Sequence, residues 1–352
     1  MCIRVICGHI FMSDANNTRK LRHVRAIRKD PDSDRRMFYF DEVRLNHRAL
    51  PELDLAKIDP SIRFMNKRLS FPLLISSMTG GDHAELRKIN RNLATAAEAT
   101  GVAMGVGSQR VMFKHAAARS SFELRTLAPS ILLFANLGAV QLNCGFGIRE
   151  CREAVKMSGA DALYLHLNPL QEAVQTGGNT NFAGLASKIA NVVEQLRVPV
   201  VIKEVGAGVA AADVRLLMKA GIRYVDVAGA GGTSWSRIEH HAQTGRQRHD
   251  LGLLFQDWGI PTPAALRALK PFRPKLTLIA SGGIRSGIDM AKAMVLGASL
   301  CGMASPFLEP ARESAAAVID AIGMLKREFT TALFLLGVPR AKDLIGNDGL
   351  LQ

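Results

Sequence analysis

The chain has 352 residues with a formal net charge of +14; 48% of residues are hydrophobic, 22% charged and only 6% aromatic. These proportions exclude global disorder and an aromatic-rich nucleic-acid platform. No apolar run reaches the ~18 residues of a membrane span. The length suits one barrel of strands and helices (~250 residues) with extensions.

In chain order, residues 1–11, MCIRVICGHIF, are mildly apolar, and no small-residue cleavage site follows. Met12-Ser-Asp reads as a second natural start. Residues 1–18 are therefore expected to be a disordered extension, and 19–70 an arm and pre-barrel segment. Residues 19–36 concentrate Arg19, Lys20, Arg22, Arg25, Arg28, Lys29, Arg35 and Arg36, with no aromatic interleaved. A solvated basic tail is expected there, except where Arg19 and Lys20 capture phosphate. Cys2, Cys7, Cys144, Cys151 and Cys301 are odd in number and unclustered, which points to reduced thiols and a cytoplasmic setting.

Eight apolar runs then end in Gly- or Asn-containing turns followed by helical stretches: 72–76, 102–106, 131–135, 162–167, 199–203, 224–227, 276–280 and 300–303. Between them lies helical periodicity such as Leu86-Ile89-Leu93-Ala97. Continuous apolar strands alternating with amphipathic helices predict a parallel sheet covered by helices, and eight units predict a (β/α)8 TIM barrel over residues 71–343. Residues 233–260 are a long insertion after the sixth strand, expected to be a lid with few core positions and with solvated His240 and His241. From about Arg312 to Leu336 one long helix is expected, and 344–352 form a tail.

Strand ends mark the active rim of a barrel. Here they read Ser77-Met78-Thr79, Ser108-Gln109-Arg110, Asn136, His166 to Glu172, Lys203, Thr233, Gly282-Gly283 and Ala304-Ser305. Glycine-rich ends on the last two strands predict a phosphate-bearing ligand on backbone amides. Lys203 ends a buried strand and must face an anion; Glu204, its neighbour, points to the opposite face. Glu172 beside Arg19, Lys20 and Arg110 suits Mg²⁺ carrying a diphosphate. Gly206-Ala-Gly208 mimics a dinucleotide fingerprint, but it is one of eight similar turns. No nucleophile elbow, His-Glu-x-x-His or Cys-x-x-Cys is present.

Taken together, Arg19-Lys20-x-x-His23, FDEVRLNHRALPELDLAKID, SSMTGG, GVGSQR, ANLG, LHLNPLQE, VIKEVG, AGGTSWSRIE, DWGIPT, IASGGIRSGIDMAKAMVLGA and LFLLGV resemble the type 2 isopentenyl-diphosphate Δ-isomerases from Arg19 to roughly Asp343. The resemblance implies an FMN-containing barrel that interconverts isopentenyl and dimethylallyl diphosphate. It implies reduced FMN, NADPH as reductant, Mg²⁺, and a tetramer or octamer, with neither a nucleic-acid nor a membrane partner. FMN is expected on Ser77, Met78, Thr79, Ser108, Asn136, Lys203 and Thr233, its phosphate on Gly282, Gly283 and Ala304 with Ile284 and Ser305 adjoining. The diphosphate is expected on Arg19, Lys20, Ser108, Gln109 and Arg110, with His23 in the same arm. His166 and Asn168 are expected over the substrate, Gln171 near its alkene, and Mg²⁺ on Glu172. Gln171, His166 and Lys203 are the expected catalytic groups. Departures from the family pattern are Leu21-Arg22 after the Arg-Lys pair, and LGAVQLNCGFG at 137–147. The alternative is an FMN-dependent 2-hydroxy-acid oxidoreductase, whose barrel resembles this one but carries a His-Gly-x-Arg-Gln block where this chain has Gly231-Gly232-Thr233-Ser234-Trp235.

Overall fold

A computed structural model describes residues 15–35, 39–243 and 250–352. The remainder of the N-terminal extension, residues 1–14, and positions 244–249 of the insertion lie outside the described residues. Its strands are β1 (Ile62–Phe64), β2 (Lys67–Leu69), β3 (Leu73–Ile75), β4 (Ala103–Gly105), β5 (Leu133–Gly138), β6 (Ala162–His166), β7 (Val200–Lys203), β8 (Tyr224–Asp226), β9 (Thr277–Ser281) and β10 (Ala298–Met303). Its α-helices are α1 (Ala15–Lys29), α2 (Ala84–Thr100), α3 (Ile148–Ser158), α4 (Pro169–Val174), α5 (Leu185–Gln195) and α6 (Ala211–Lys219). They continue with α7 (Trp235–Ala242), α8 (Leu251–Leu254), α9 (Thr262–Leu269), α10 (Gly287–Val295), α11 (Ser305–Glu313) and α12 (Ala315–Leu335).

β3 to β10 close into a barrel in the order β10-β3-β4-β5-β6-β7-β8-β9, every pairing parallel. All eight predicted strands are present, each displaced by no more than three residues. The reason is side-chain chemistry: Leu73-Leu74-Ile75 and Val200-Val201-Ile202 are buried on both faces. Only a strand flanked by a helix layer outside and packed side chains inside accepts such a run. Phe134 stacks on Tyr164 inside the barrel, ring centroids 4.8 Å apart.

The helices follow their local signals. α2 turns Leu86, Ile89, Leu93 and Ala97 inward and ends at Gly101, whose φ of +67° lets its N–H reach back to Ala97 and Glu98 carbonyls. The long terminal helix is two helices. Ser314 stops α11 and caps α12, its side chain accepting from Ala317 N–H, so Arg312 belongs to the earlier one.

Two segments outside the barrel position its ends. The β1–β2 hairpin sits under the N-terminal end: Lys67 Nζ donates to Ser130 O, and Ser70 N–H to Gly101 O, both just before strands. The C-terminal tail pairs with the pre-barrel segment through a Leu45–Leu351 bridge. The N-terminal arm crosses the opposite, C-terminal rim. Residues 15–18, expected to be disordered, instead open α1, which buries His23, Val24 and Ala26. Beyond it, Ser33 to Arg35 pair with Gly232 to Ser234. The basic run is therefore not one solvated tail: Arg25, Arg28 and Lys29 are exposed, but Arg35 is 7% exposed and donates to Gly206 O. Among the described residues no helix is long and apolar enough to cross a membrane.

Candidate active site

Two adjoining cavities open at the strand C-termini, of about 170 Å³ and about 50 Å³. Lys20, His23, Ser108, His166 and Gln171 line both, so one bound molecule in each would be in contact. The larger has room for roughly a dozen waters.

One end of the larger cavity is backbone. After β9 the chain turns through Gly282 (φ +93°) and Gly283 (φ +79°), and after β10 Ala304 caps the N-terminus of α11. A Cβ on Gly232 would lie 2.7 Å from Gly283 N. A Cβ on Gly302 would lie 2.5 Å from Ser76 Oγ. Glycine here keeps the walls apart and the amides accessible, the arrangement that holds a phosphate. From the arm, Asp34 pairs with Arg285 and accepts 3.0 Å from Ser305 Oγ. Along the side wall, the buried hydroxyls of Ser76, Ser77 and Thr79 have no hydrogen-bond partner among the described residues. Three unmet buried hydroxyls beside a cavity fit a polar planar ligand such as FMN. The turn carrying them is braced by Asn90, whose Nδ2 donates to Thr79 O and Ser121 O.

Lys203 lies on the floor. Its Nζ is 3.3 Å from Asp226 Oδ2 and 3.3 Å from Ser281 Oγ. Its counter-ion is therefore Asp226, and not the adjacent Glu204. Glu204 turns the other way, and its Oε2 accepts from the amides of Val205, Gly206, Ala207 and Gly208. Burial pushes that carboxyl up, against those N–H donors.

The smaller cavity is cationic. Arg19, Lys20 and Arg110 converge on it opposite Glu172. Desolvation pulls the Lys20 ammonium down to about 8, helped by Arg19 and Arg110 and opposed by Glu239 and Glu172. Desolvation and Arg19 also lower Arg110. Three crowded cations facing one carboxylate suit a multiply charged anion. Glu172 accepts from Asn168 Nδ2, Gln175 Nε2 and Asn179 N–H, while Asn168 Oδ1 is buried without a partner among the described residues. A hard carboxylate next to an unsatisfied amide oxygen fits a Mg²⁺ completed by ligand oxygens and water. Among the described residues no group of three or more His, Cys, Asp or Glu forms an all-protein metal cage.

Between the cavities stand the polar groups. His166 Nδ1 is 2.7 Å from Asn136 Oδ1. Asn136 Nδ2 is committed to Val106 O, so His166 Nδ1 carries the proton and Nε2 is a bare acceptor. Desolvation, with Lys20, Lys203 and Arg110 adding to it, drives this imidazole down to about 3. It is neutral at physiological pH, an acceptor and not an acid. Gln171 takes a bond from Asn168 Nδ2 and donates 2.7 Å to Glu239 Oε1.

Glu239 was not anticipated from sequence. It sits on α7, in the supposed lid, and is 3% exposed. His23 Nε2 is 3.2 Å from the same oxygen and its ring is edge-on to Trp235. Burial lowers His23 despite Glu239. Burial also works against the Glu239 charge, but His23, Arg19 and Gln171 outweigh it and hold the carboxylate ionised. The lid is thus not poor in core positions: Ser234, Ser236, Ile238 and Glu239 are buried. Of its histidines, His240 is half-buried and His241 is exposed, its Nε2 meeting Asp30 at 2.7 Å in a clasp completed by Arg237. A second correction concerns Gln109. It is fully buried, accepting from Asn136 N–H and donating to Ala154 O, so it braces β5 against α3 and faces neither cavity. Ile284 also packs in the core instead of lining the cavity. Ser77, Met78, Thr79, Ser108, Asn136, Thr233, Gly282, Gly283, Ala304 and Ser305 all line the larger cavity.

Comparison with known proteins decides the family. The chain is 54% identical over 338 residues to an isopentenyl-diphosphate delta-isomerase of Paracoccus zeaxanthinifaciens, covering 95% of this chain and 97% of that one. It is 52% identical to one from Hydrogenovibrio crunogenus, covering 97% and 99%.

The chain belongs to the isopentenyl-diphosphate delta-isomerase family.

Within it, residues 153–350 match the FMN-dependent dehydrogenase family. Among solved structures, the flavin-binding domain of baker's yeast flavocytochrome b2 is similar, with a TM-score of 0.63 at 17% identity, covering 89% of this chain and 76% of that one. A mandelate oxidase variant gives a TM-score of 0.58 at 17% identity, covering 88% of each. At such identities these structures speak for the shared barrel alone. The FMN dependence rests on the family model, which together with the isomerase relatives marks the FMN-dependent type.

Proposed function

We propose that this protein interconverts isopentenyl and dimethylallyl diphosphate using FMN. The observation that carries the reading is the junction of a cavity with a glycine-rich end and unmet hydroxyls to a tricationic cleft that shares its lining. The first suits FMN on Ser77, Met78, Thr79, Ser108, Asn136, Lys203 and Thr233, with phosphate at Gly282, Gly283, Ala304 and Ser305. The second suits a diphosphate on Arg19, Lys20 and Arg110, with Mg²⁺ on Glu172 and Asn168 Oδ1. We further propose NADPH as the reductant that prepares the flavin. A homo-oligomer, tetramer or octamer, is also proposed; exposed Leu254 and Trp258 offer it an apolar face.

The reaction adds a proton at C4 of the alkene and removes one from C2. An alkene is a very poor base, so a strong, well-placed acid and a stabilised tertiary cation are required. The protein's own groups do not supply the acid. Glu239 is held ionised, His166 is neutral and lacks an acidic proton, and Gln171 is an amide. Reduced FMN supplies acid–base chemistry at its ring and electron density to stabilise a cation when bound. The residues do the rest. Arg19, Lys20 and Arg110 bind and orient the diphosphate. Gln171, fixed between Asn168 and Glu239, holds the alkene end. His166 Nε2 accepts a hydrogen bond from the substrate side, and Lys203 presents an ammonium to the cofactor cavity. The α1–α7 clasp excludes water from a reactive cation.

The alternative, 2-hydroxy-acid oxidation, lacks its base: after β8 the chain reads Thr233, Ser234 and Trp235, and Trp235 packs on His23. The test is anaerobic incubation of the purified protein with FMN, reductant, Mg²⁺ and isopentenyl diphosphate, and in parallel with 2-hydroxy acids. Dimethylallyl diphosphate in the first tube and no flavin reduction in the second is expected. Correctly bound, reduced 5-deaza-FMN that sustains full turnover would refute the acid–base role of the flavin.

A further inference from the structure

Beneath the cofactor cavity lies a buried carboxylate for which the mechanism above gives no use. Asp226 is 0% exposed. Its Oδ1 accepts 2.6 Å from Ser281 Oγ and 3.3 Å from Ala228 N–H. Its Oδ2 accepts 3.4 Å from Tyr164 Oη and lies 3.3 Å from Lys203 Nζ. Ala228 itself is held at a φ of +37°, an uncommon conformation for a residue with a side chain. Four strands thus converge on one carboxylate: β6 gives Tyr164, β7 Lys203, the end of β8 Asp226 and Ala228, and β9 Ser281. The carboxylate is saturated by donors and closed to ligands. Lys203 is not closed: it lines the cavity, with Asp226 and Ser281 on one side only.

We propose that Asp226 is a positioning residue for the reaction. By holding Lys203 as a buried ammonium, it fixes a permanent positive charge on the floor of the cofactor cavity, so that reduction of the bound ring takes up one proton and not two. The inference rests on the FMN reading above. Two electrons from a reductant and one proton leave the ring with one negative charge, and the ammonium already in place compensates it. Without Asp226 the ammonium keeps only the Ser281 hydroxyl at a site nearly sealed from water. An unpaired buried ammonium is costly, and the neutral amine takes its place. Reduction then draws a second proton, onto Lys203 or the ring.

Lys20, which lines the same cavity and is lowered to about 8 by burial with Arg19 and Arg110, changes charge in the working range and does so alike in every variant compared; the groups packed around Lys203 do not. His166 is already neutral through burial, with Lys20, Lys203 and Arg110 adding to it. Tyr164 stays protonated because burial, with Asp226 beside it, raises it well above its ordinary value. Glu204 faces the 205–208 amides instead of Lys203.

The test is a reductive titration with dithionite of FMN-loaded protein at pH 6 to 9, following the midpoint potential with reference dyes. The wild type should take up one proton per two electrons throughout. D226N, isosteric but uncharged, should move to two over the upper part of the range. K203M and the double variant K203M/D226N should match each other, because without the amine Asp226 has nothing to hold. One-proton uptake by D226N at every pH overturns the proposal, as does two-proton uptake by the wild type. If D226N does not fold while the double variant does, the uncompensated ammonium is the cause and the pairing stands. If neither folds, Asp226 is an independent structural group and the proposal falls. Failure of the wild type to bind FMN would strike the FMN reading first, and is seen before any titration begins.

Discussion

Lys20 gives the sharpest consequence of the site's electrostatics. In the cleft its ammonium is lowered to about 8 by desolvation and by Arg19 and Arg110. The charged form is the one that binds an anion, and it is lost as pH rises. At pH 9, one unit above, about a tenth of the free enzyme still carries it. A diphosphate restores the charge once bound, so the loss falls on kcat/KM and spares kcat. The kcat/KM for isopentenyl diphosphate should therefore fall about tenfold per pH unit above 8, at constant Mg²⁺ and saturating reduced FMN. Lys20→Arg should move this alkaline limb beyond pH 10. Lys20→Met should abolish it, leaving a flat profile at a level about 10- to 100-fold lower, the worth of one charge-assisted contact of roughly 1.5–3 kcal/mol. The assay is initial-rate product formation across pH, with protein integrity checked by circular dichroism. A wild-type kcat/KM unchanged from pH 7 to 9.5, or the same limb persisting in Lys20→Met, would refute the reasoning.

Other substitutions probe other parts. Glu172→Gln should cut activity at least 100-fold and raise the Mg²⁺ concentration needed for half-activation, measured by Mg²⁺ titration after chelation. Asn90→Ala removes the brace of the Ser76–Thr79 turn, buried at 1% exposure; a loss of about 1–3 kcal/mol in thermal or urea unfolding is expected, with weaker FMN retention. Gly302→Val places carbon within contact of Ser76 Oγ, 2.5 Å from an ideal Cβ; FMN loading should be lost while the barrel's far-ultraviolet spectrum survives. Asp30→Ala frees Arg237 and His241 on α7, and trypsin should cut the basic α1 faster. In the wild type, FMN, Mg²⁺ and diphosphate together should slow that cleavage, and an unchanged pattern would count against closure of the arm.

The barrel was legible because its signal is redundant. Eight apolar runs such as Leu73-Leu74-Ile75, each followed by a turn and a helical period, leave few other folds. The rim followed from the strand ends, and the cavity lining contains nearly every residue expected there. What sequence missed depends on long-range geometry. Gln109 lies between two site residues in the chain, yet a strand end that curls into a 3-10 turn sends its side chain inward to Ala154 O. Glu239 is one carboxylate in a polar stretch, and nothing local shows that α7 folds down onto His23 and Gln171. Period-two spacing separated Lys203 from Glu204, but the true partner, Asp226, comes from the next strand: the register pairs Lys203 with Asp226. The β1–β2 hairpin lacked the usual Asn-Gly signal. Met65 (φ +47°) and Asn66 (φ +63°) make its turn at positions where glycine is the common choice.

The central claim is that flavin serves here without net redox change. The decisive measurement is the ratio of NADPH consumed to dimethylallyl diphosphate formed, under strict anaerobiosis with FMN, Mg²⁺ and excess isopentenyl diphosphate. Many product molecules should form per NADPH, with consumption stopping once the flavin is reduced. One NADPH spent per product, or product formed equally well with oxidised flavin throughout, would contradict it.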